Sequence, residues 1–324
     1  MADFVFLKNS MTGKPVISAP HRAKRTEVGE KQEGICPFCP GNERDEDDVY
    51  HVGLLKDWQI RVIPNKFPFT PHHELVIHSP DHHKNFDELP FEQVELIFKT
   101  YRERFLTHQK QGYVYIFHNR GHAAGESVHH PHTQITVVPK EVQLEIQPLD
   151  KRIYKHKSRS KNHEARGFHS MIHDSLFMIR GGEKIRQGFS QDILETDKFL
   201  VFCPSTSEWP DEVWVAPKKQ RGLFGSIADT EVTDLAFVVS RLIQILDLRH
   251  GAEFPFNFYI YPGKNWYLRI IPRQKILGGF EVGTGISVNT QDPKETFAFI
   301  LEHFWKPDHE TIKTFHAAVY RKSV

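Results

Sequence analysis

Across its 324 residues the chain carries 42 Lys and Arg against 41 Asp and Glu, a formal net charge of +1. That balance argues against the electrostatic footprint of a nucleic-acid binder and against a polybasic membrane surface. No run approaches about 18 uninterrupted apolar residues, and the opening MADFVFLKNSMTGKPV has no basic stretch followed by a long apolar one, so neither a membrane span nor a signal peptide is expected. Two of the three cysteines stand in one C-P-F-C, which makes no disulfide framework, and a cytoplasmic protein is the expectation.

In chain order, ELVIHSP (74–80) is a short apolar strand ending in Ser-Pro. In LPFEQVELIFKTYRERFLTH (89–108), Val94, Ile97, Phe98, Tyr101 and Phe105 recur at helical spacing. Strands are expected at YVYIFHN (113–119) and QITVVP (134–139). Residues 150–173 are polar, basic and His-rich, and read as a linker or long loop. The same order then returns: a strand at EVWVAP (212–217), a helix at 229–248 with Thr230 as its N-cap, and strands at FNFYIYP (257–263) and YLRIIP (267–272). This repeat predicts two α+β units with antiparallel sheets and packed helices, spanning 1–145 and 186–324 and joined by 146–185. Neither G-x-G-x-x-G nor G-x-x-x-x-G-K-[ST] is present to indicate a parallel nucleotide-binding fold.

The chemistry concentrates in ESVHHPHTQITVVP (126–139). His130, His132 and Gln134 are two apart, and on an extended strand such residues share a face. An imidazole attacks phosphorus well near neutral pH because its ordinary pKa of about 6.5 leaves a neutral fraction. Gln134 can donate its amide N–H to a phosphoryl oxygen as charge develops there. The upstream GHAAGES (121–127) offers backbone N–H groups and the Ser127 hydroxyl to the same phosphate. A surface histidine run, or imidazoles satisfied in the core, is the plain alternative. Cys36-x2-Cys39 has metal-ligand spacing and wants two more N or S ligands. A redox C-x-x-C is its rival, but Pro37, Pro40 and Gly41 favour a turn over the helix such a motif needs.

The segment FHNRGHAAGESVHHPHTQI (117–135) resembles the active-site segment of the galactose-1-phosphate uridylyltransferases, in the histidine-triad superfamily. So do SAPHRAKRT (18–26), CPFCPGNE (36–43), RVIPNKFPF (61–69) and GGFEVGTGISVN (278–289), in order along the chain. The resemblance implies two histidine-triad-like halves. It implies His132 as the nucleophile toward the α-phosphorus of a nucleotide sugar, with a phosphate or hexose 1-phosphate as acceptor and a ping-pong course. It places Arg22 and Arg25 at the phosphates, Asn65 and Asn119 near the nucleotide, and Glu281 at the sugar. It supplies His82 and His130 as the remaining ligands of one structural zinc, with His83 the adjacent alternative to His82, and leaves His129 without a role. It also implies a homodimer whose halves complete one another's sites.

Departures from the family pattern fall in the second half. Asn265, Tyr267 and Arg269 stand at the H-x-H-x-Q positions and Tyr261 where another histidine is expected. No second nucleophile and no second metal are therefore expected. Phe280 stands where some members have Tyr, which leaves the sugar open. An ADP-sugar or dinucleoside-polyphosphate phosphorylase, a hydrolase of the same superfamily and a non-catalytic nucleotide-binding protein are the alternatives. Intact Ser127, His132 and Gln134 speak against the last.

Overall fold

The structure is a computed structural model that describes residues 4–24, 36–43, 48–54, 56–146, 148–149, 153, 192–219 and 222–305. Arg25 and most of the 146–185 segment lie outside the described residues.

A two-stranded antiparallel ribbon, β1 (Val5–Lys8) and β2 (Pro15–Ser18), precedes the main body. The first half then runs β3 (Tyr50–Leu54), β4 (Asp57–Pro64), β5 (His72–Ile77), α1 (Phe91–His108), β6 (Tyr113–Arg120) and β7 (His132–Val138). The second half runs β8 (Leu194–Glu195), β9 (Phe199–Phe202), β10 (Val213–Pro217), α2 (Asp229–His250), β11 (Phe256–Ile260) and β12 (Leu268–Pro272), followed by α3 (Gly279–Thr284) and α4 (Pro293–Phe304). Each half is three strands, a helix and two strands. The repeat legible in the sequence is thus present, with two further strands ahead of it in each half.

Strand order is β3-β4-β5-β7-β6-β11-β12-β10-β9-β8, antiparallel throughout. Read from the middle outward, the two halves list equivalent strands. The seam is β6 against β11, with Asn119 opposite Asn257 and Phe117 opposite Tyr259. Pairing at the seam fills both central edges, which would otherwise be open to aggregation.

Alternation decides the faces. Val114, Ile116 and His118 of β6 and Thr133, Ile135 and Val137 of β7 turn toward the helices. Tyr115, Phe117, His132, Gln134 and Thr136 take the opposite face. Helix α1 buries Val94, Ile97, Phe98, Tyr101 and Phe105 on one stripe, as its spacing predicts. Helix α2 is buried nearly all round, because α1, the sheet and α4 each cover part of it. One apolar core therefore draws on both halves, from Ile60 to Phe304.

The cap of α2 differs from the expectation. Ala228, not Thr230, is the N-cap, and its N–H donates to Glu231 Oε2 at 2.8 Å. The carboxylate three residues on accepts the N-cap N–H, the half of a capping box that needs no hydroxyl at the N-cap.

Candidate active site and metal centre

The C-P-F-C loop folds over the face of β5 and β7 that points away from the helices. Phe38 is buried there with Trp58, Leu75 and Ile77, while Cys36, Ile63 and Val128 pack around them. Asn42 Nδ2 donates to Cys36 O at 2.8 Å, and Glu43 accepts from Trp58 Nε1 at 2.7 Å. These bonds hold the loop as a turn.

Cys36, Cys39, His82 and His130 bring one ligand atom each to within 4.8 Å of one another. Cys39 Sγ is 3.2 Å from His82 Nδ1 and 3.6 Å from His130 Nδ1, and Cys36 Sγ is 3.8 Å from His130 Nδ1. Sulfur and nitrogen ligands on a tetrahedral zinc stand about 3.5 Å apart at ordinary bond lengths, so the donor set fits such an ion. His130 Nε2–H donates to Ser79 O at 2.9 Å, which leaves Nδ1 as the ligating nitrogen. Burial, then the neighbouring Cys36, push the Cys39 thiol up to about 11; a divalent cation would reverse that preference. His82, not His83, joins the group; His83 stands edge-on to it with ring centres 4.7 Å apart.

The H-x-H-x-Q expectation holds in part. Strand β7 begins at His132, so His132 and Gln134 share its open face. His130 lies ahead of the strand, because Pro131 has no N–H to give the ladder, and its ring turns to the cysteines instead. The separation has a chemical consequence. His132 Nδ1 is 2.9 Å from the carbonyl oxygen of His130. A carbonyl only accepts, so the proton sits on Nδ1 and Nε2 keeps its lone pair. The ring is 5% exposed and packs edge-on against Phe38, centres 5.3 Å apart. From behind the sheet, His118 Nδ1 donates to the carbonyl of His132 at 2.9 Å. Burial lowers His118 to about 3, with His132 as the next cause, so this inner ring is a neutral donor.

Gln134 is 6% exposed, and its Oε1 lies 2.9 Å from His73 Nε2. Asn65 Nδ2 lies 3.1 Å from the same nitrogen, and Asn65 Oδ1 accepts from Phe67 N. Arg22 donates to Phe67 O and lies over the Phe69 ring at 4.7 Å; that ring meets His73 at 4.4 Å. Asn65 and Gln134 therefore meet at His73, with Arg22 on the far side of the Phe69 ring; sequence patterns did not single out His73. Phe38 was missed too. Either could have been found only by knowing which strands pair.

Ser127 sits half-buried on the loop before His130. That loop turns at Gly121 and Gly125, with φ of 80° and 82°, values glycine adopts without strain. Asn119 is drawn to the seam, where its Oδ1 accepts from Asn257 at 2.8 Å and its Nδ2 reaches Gly125 O at 3.5 Å. Glu281 does not join this group through any of its described bonds. Its carboxylate accepts from Lys275 Nζ, Gly278 N and Val288 N, and these, the Lys275 bond foremost, hold it at about 2. It staples its own segment.

In the second half the equivalent place is filled. Tyr267 stacks between Trp214 and Tyr261, at 4.4 and 5.2 Å, and Arg269 pairs with Glu212 at 2.6 Å. A cavity of about 290 Å³ by Tyr113, Lys140 and Tyr261 lies at the other end of the strands, where Tyr113 pairs with Val138 rather than with the His132 end of β7.

Residues 71–138 match the family of the galactose-1-phosphate uridyl transferase N-terminal domain. The chain is 24% identical to an ADP-glucose phosphorylase of Arabidopsis thaliana over 91% of this chain and 92% of that protein. It is 25% identical to a galactose-1-phosphate uridylyltransferase of Thermotoga maritima over 78% of this chain and 79% of that one. The crystal structure of the Arabidopsis thaliana ADP-glucose phosphorylase with bound ADP-glucose superposes with a TM-score of 0.63 at 22% identity, covering 92% of this chain and 99% of that one. The fold, an α+β body on one large antiparallel sheet, is that of these proteins. The chain is thus similar, through residues 71–138 and through relatives that span most of its length, to the galactose-1-phosphate uridylyltransferases and to an ADP-glucose phosphorylase. No helix among the described residues is long and apolar enough to cross a membrane.

Proposed function

We propose that this nucleotidyltransferase moves a nucleoside monophosphate from a nucleotide sugar to a phosphate or hexose 1-phosphate through a covalent intermediate on His132. The observation that carries the reading is the bond from His132 Nδ1 to the His130 carbonyl, which leaves Nε2 as the attacking atom beside Gln134. Nε2 forms a bond to the α-phosphorus, and the bond from that phosphorus to the bridging oxygen breaks. The leaving sugar 1-phosphate keeps the electron pair and departs as a phosphate monoester, which needs no strong acid. The acceptor's phosphate oxygen then attacks the same phosphorus and frees Nε2. Gln134 and Ser127 donate to the phosphoryl oxygens, Arg22 and Arg25 meet the phosphates, Asn65 and Asn119 lie along the nucleotide, and Glu281 meets the sugar. Residues 1–145 form the catalytic unit and 186–324 a degenerate one.

The Cys36, Cys39, His82 and His130 group holds one zinc. All four positions are protein ligands, so the ion is structural and sets the backbone that orients His132. A homodimer is the working assembly. Ile276, Leu277, Phe280, Val282, Ile286 and Val288 are exposed around Glu281, an apolar surface of the kind a partner covers.

An ADP-sugar phosphorylase is the second reading, favoured by the extent of the match to the Arabidopsis thaliana relative. Intact-protein mass spectrometry after brief incubation with UDP-glucose or ADP-glucose, without acceptor, separates the two. A gain of one UMP or one AMP, absent in His132→Asn, establishes the intermediate and names the base. Free nucleoside monophosphate without an adduct points to hydrolysis. Neither adduct nor turnover overturns the assignment for these substrates.

A further inference from the structure

His73 is 4% exposed on β5, where it pairs with Thr136, the next residue of β7 on the Gln134 side of the sheet. The diagonal from His73 to Gln134 is a normal cross-strand contact. Its Nε2 faces two primary amides, Gln134 at 2.9 Å and Asn65 at 3.1 Å. A primary amide has one accepting end and one donating end, and which end Gln134 turns to a phosphoryl oxygen decides whether it attracts or repels it. With the proton on Nε2, His73 donates to Gln134 Oε1 and the N–H2 end faces the site. With the proton on Nδ1, Nε2 accepts, Gln134 reverses, and its carbonyl lone pairs face the phosphoryl oxygens. Asn65 competes for the second state, since Phe67 N holds its Oδ1 and turns Nδ2 toward the ring. The shorter distance is the one to Gln134 Oε1, and both side chains are buried, so solvent does not compensate a wrong orientation.

We propose that His73 is a positioning residue that carries its proton on Nε2 and holds Gln134 with its amide N–H2 toward the transferred phosphoryl group. This deepens, and rests on, the assignment of His132 as nucleophile.

His73→Phe keeps a ring against Phe69 and removes the donor, while His73→Gln returns an N–H. His73→Phe is expected to lower kcat about 10- to 100-fold with little change in KM, and His73→Gln to recover much of the loss. In a Gln134→Ala background the same His73→Phe change is expected to cost nothing further, since the two act through one bond. An equal loss in both backgrounds would show a structural role and overturn the proposal. Long-range 1H–15N NMR of histidine-labelled wild-type protein reads the tautomer without reference to activity. An Nε2–H form at His73 supports the proposal and an Nδ1–H form overturns it. Failure of the nucleotidyl-transfer reading shows separately, as a missing mass adduct on the wild type.

Discussion

His130 and His132 divide one task between ring and backbone: the ring of His130 faces the two cysteines while its carbonyl accepts the Nδ1 proton of His132 at 2.9 Å. The candidate metal ligand His130 and the proposed nucleophile His132 are thus two residues apart in sequence and joined by one hydrogen bond.

Cys36→Ser is expected to lower zinc content, thermal stability and turnover together. Loss of a metal held there would free the loop that carries Phe38 and loosen the His130 carbonyl, so the His132 tautomer would no longer be fixed. Metal analysis, a melting curve and an activity assay on one preparation check this. Full activity after exhaustive chelation would contradict it.

A second expectation concerns the joint between β5 and α1. Arg104 donates to Glu74 through Nε at 2.9 Å and Nη2 at 2.7 Å, and His108 Nε2 lies 2.8 Å from the same carboxylate. Burial works to raise Glu74, but the bonds from His108 and Arg104 outweigh it and bring its pKa from 4.5 down to about 2. The bond to Glu74 raises His108 above 6.5 against its burial. Glu74 therefore contributes stability that is complete above pH 4.5 and lost as pH falls through about 2. His108 contributes stability that is complete below pH 6.5 and lost as pH rises through its raised folded value. Glu74→Ala, which leaves Arg104 buried and unpaired, is expected to cost about 3 kcal/mol. Denaturant melts from about pH 2 upward through neutral pH test both statements.

The buried Asp247 and the half-buried Asp87 form a different arrangement. Arg120 stands 3.4 Å from Asp87 and 3.5 Å from Asp247, distances that suit one shared cation rather than two ion pairs. Burial first, and then Asp87, push Asp247 up to about 10, so Asp247 keeps its proton at neutral pH. Asp247→Asn mimics the protonated form and is expected to leave the melting temperature at pH 7 unchanged or higher. Native Asp247 resists ionisation, so wild-type stability falls as pH rises toward that raised value, and the variant should lose this slope. A large drop in the variant's melting temperature would mean that Asp247 is ionised.

Phe280→Glu places a charge in the exposed apolar segment beside Glu281. If a second copy covers that surface, light scattering should show a shift from dimer to monomer while the far-ultraviolet circular dichroism stays unchanged. A dimer of undiminished affinity would remove this segment from the interface.

Local pattern was enough for much of this protein. Helical spacing in 91–108, alternation in β6 and β7 and the returning order of elements were legible because each depends on neighbours within a few residues. Cys36 and Cys39 stood out as candidate ligands for the same reason, and His82 and His130, which the structure groups with them, through their resemblance to known segments. Tertiary structure decided what depends on pairing between distant segments. Thr136 lies opposite His73, and Gln134 diagonally so, only because β5 and β7 are neighbours in the sheet. The seam of β6 and β11 makes one core of two halves and draws Asn119 to Asn257. Which side chain meets which amide is set by strand register, and register is fixed by the burial of a whole face, not by any short run of sequence.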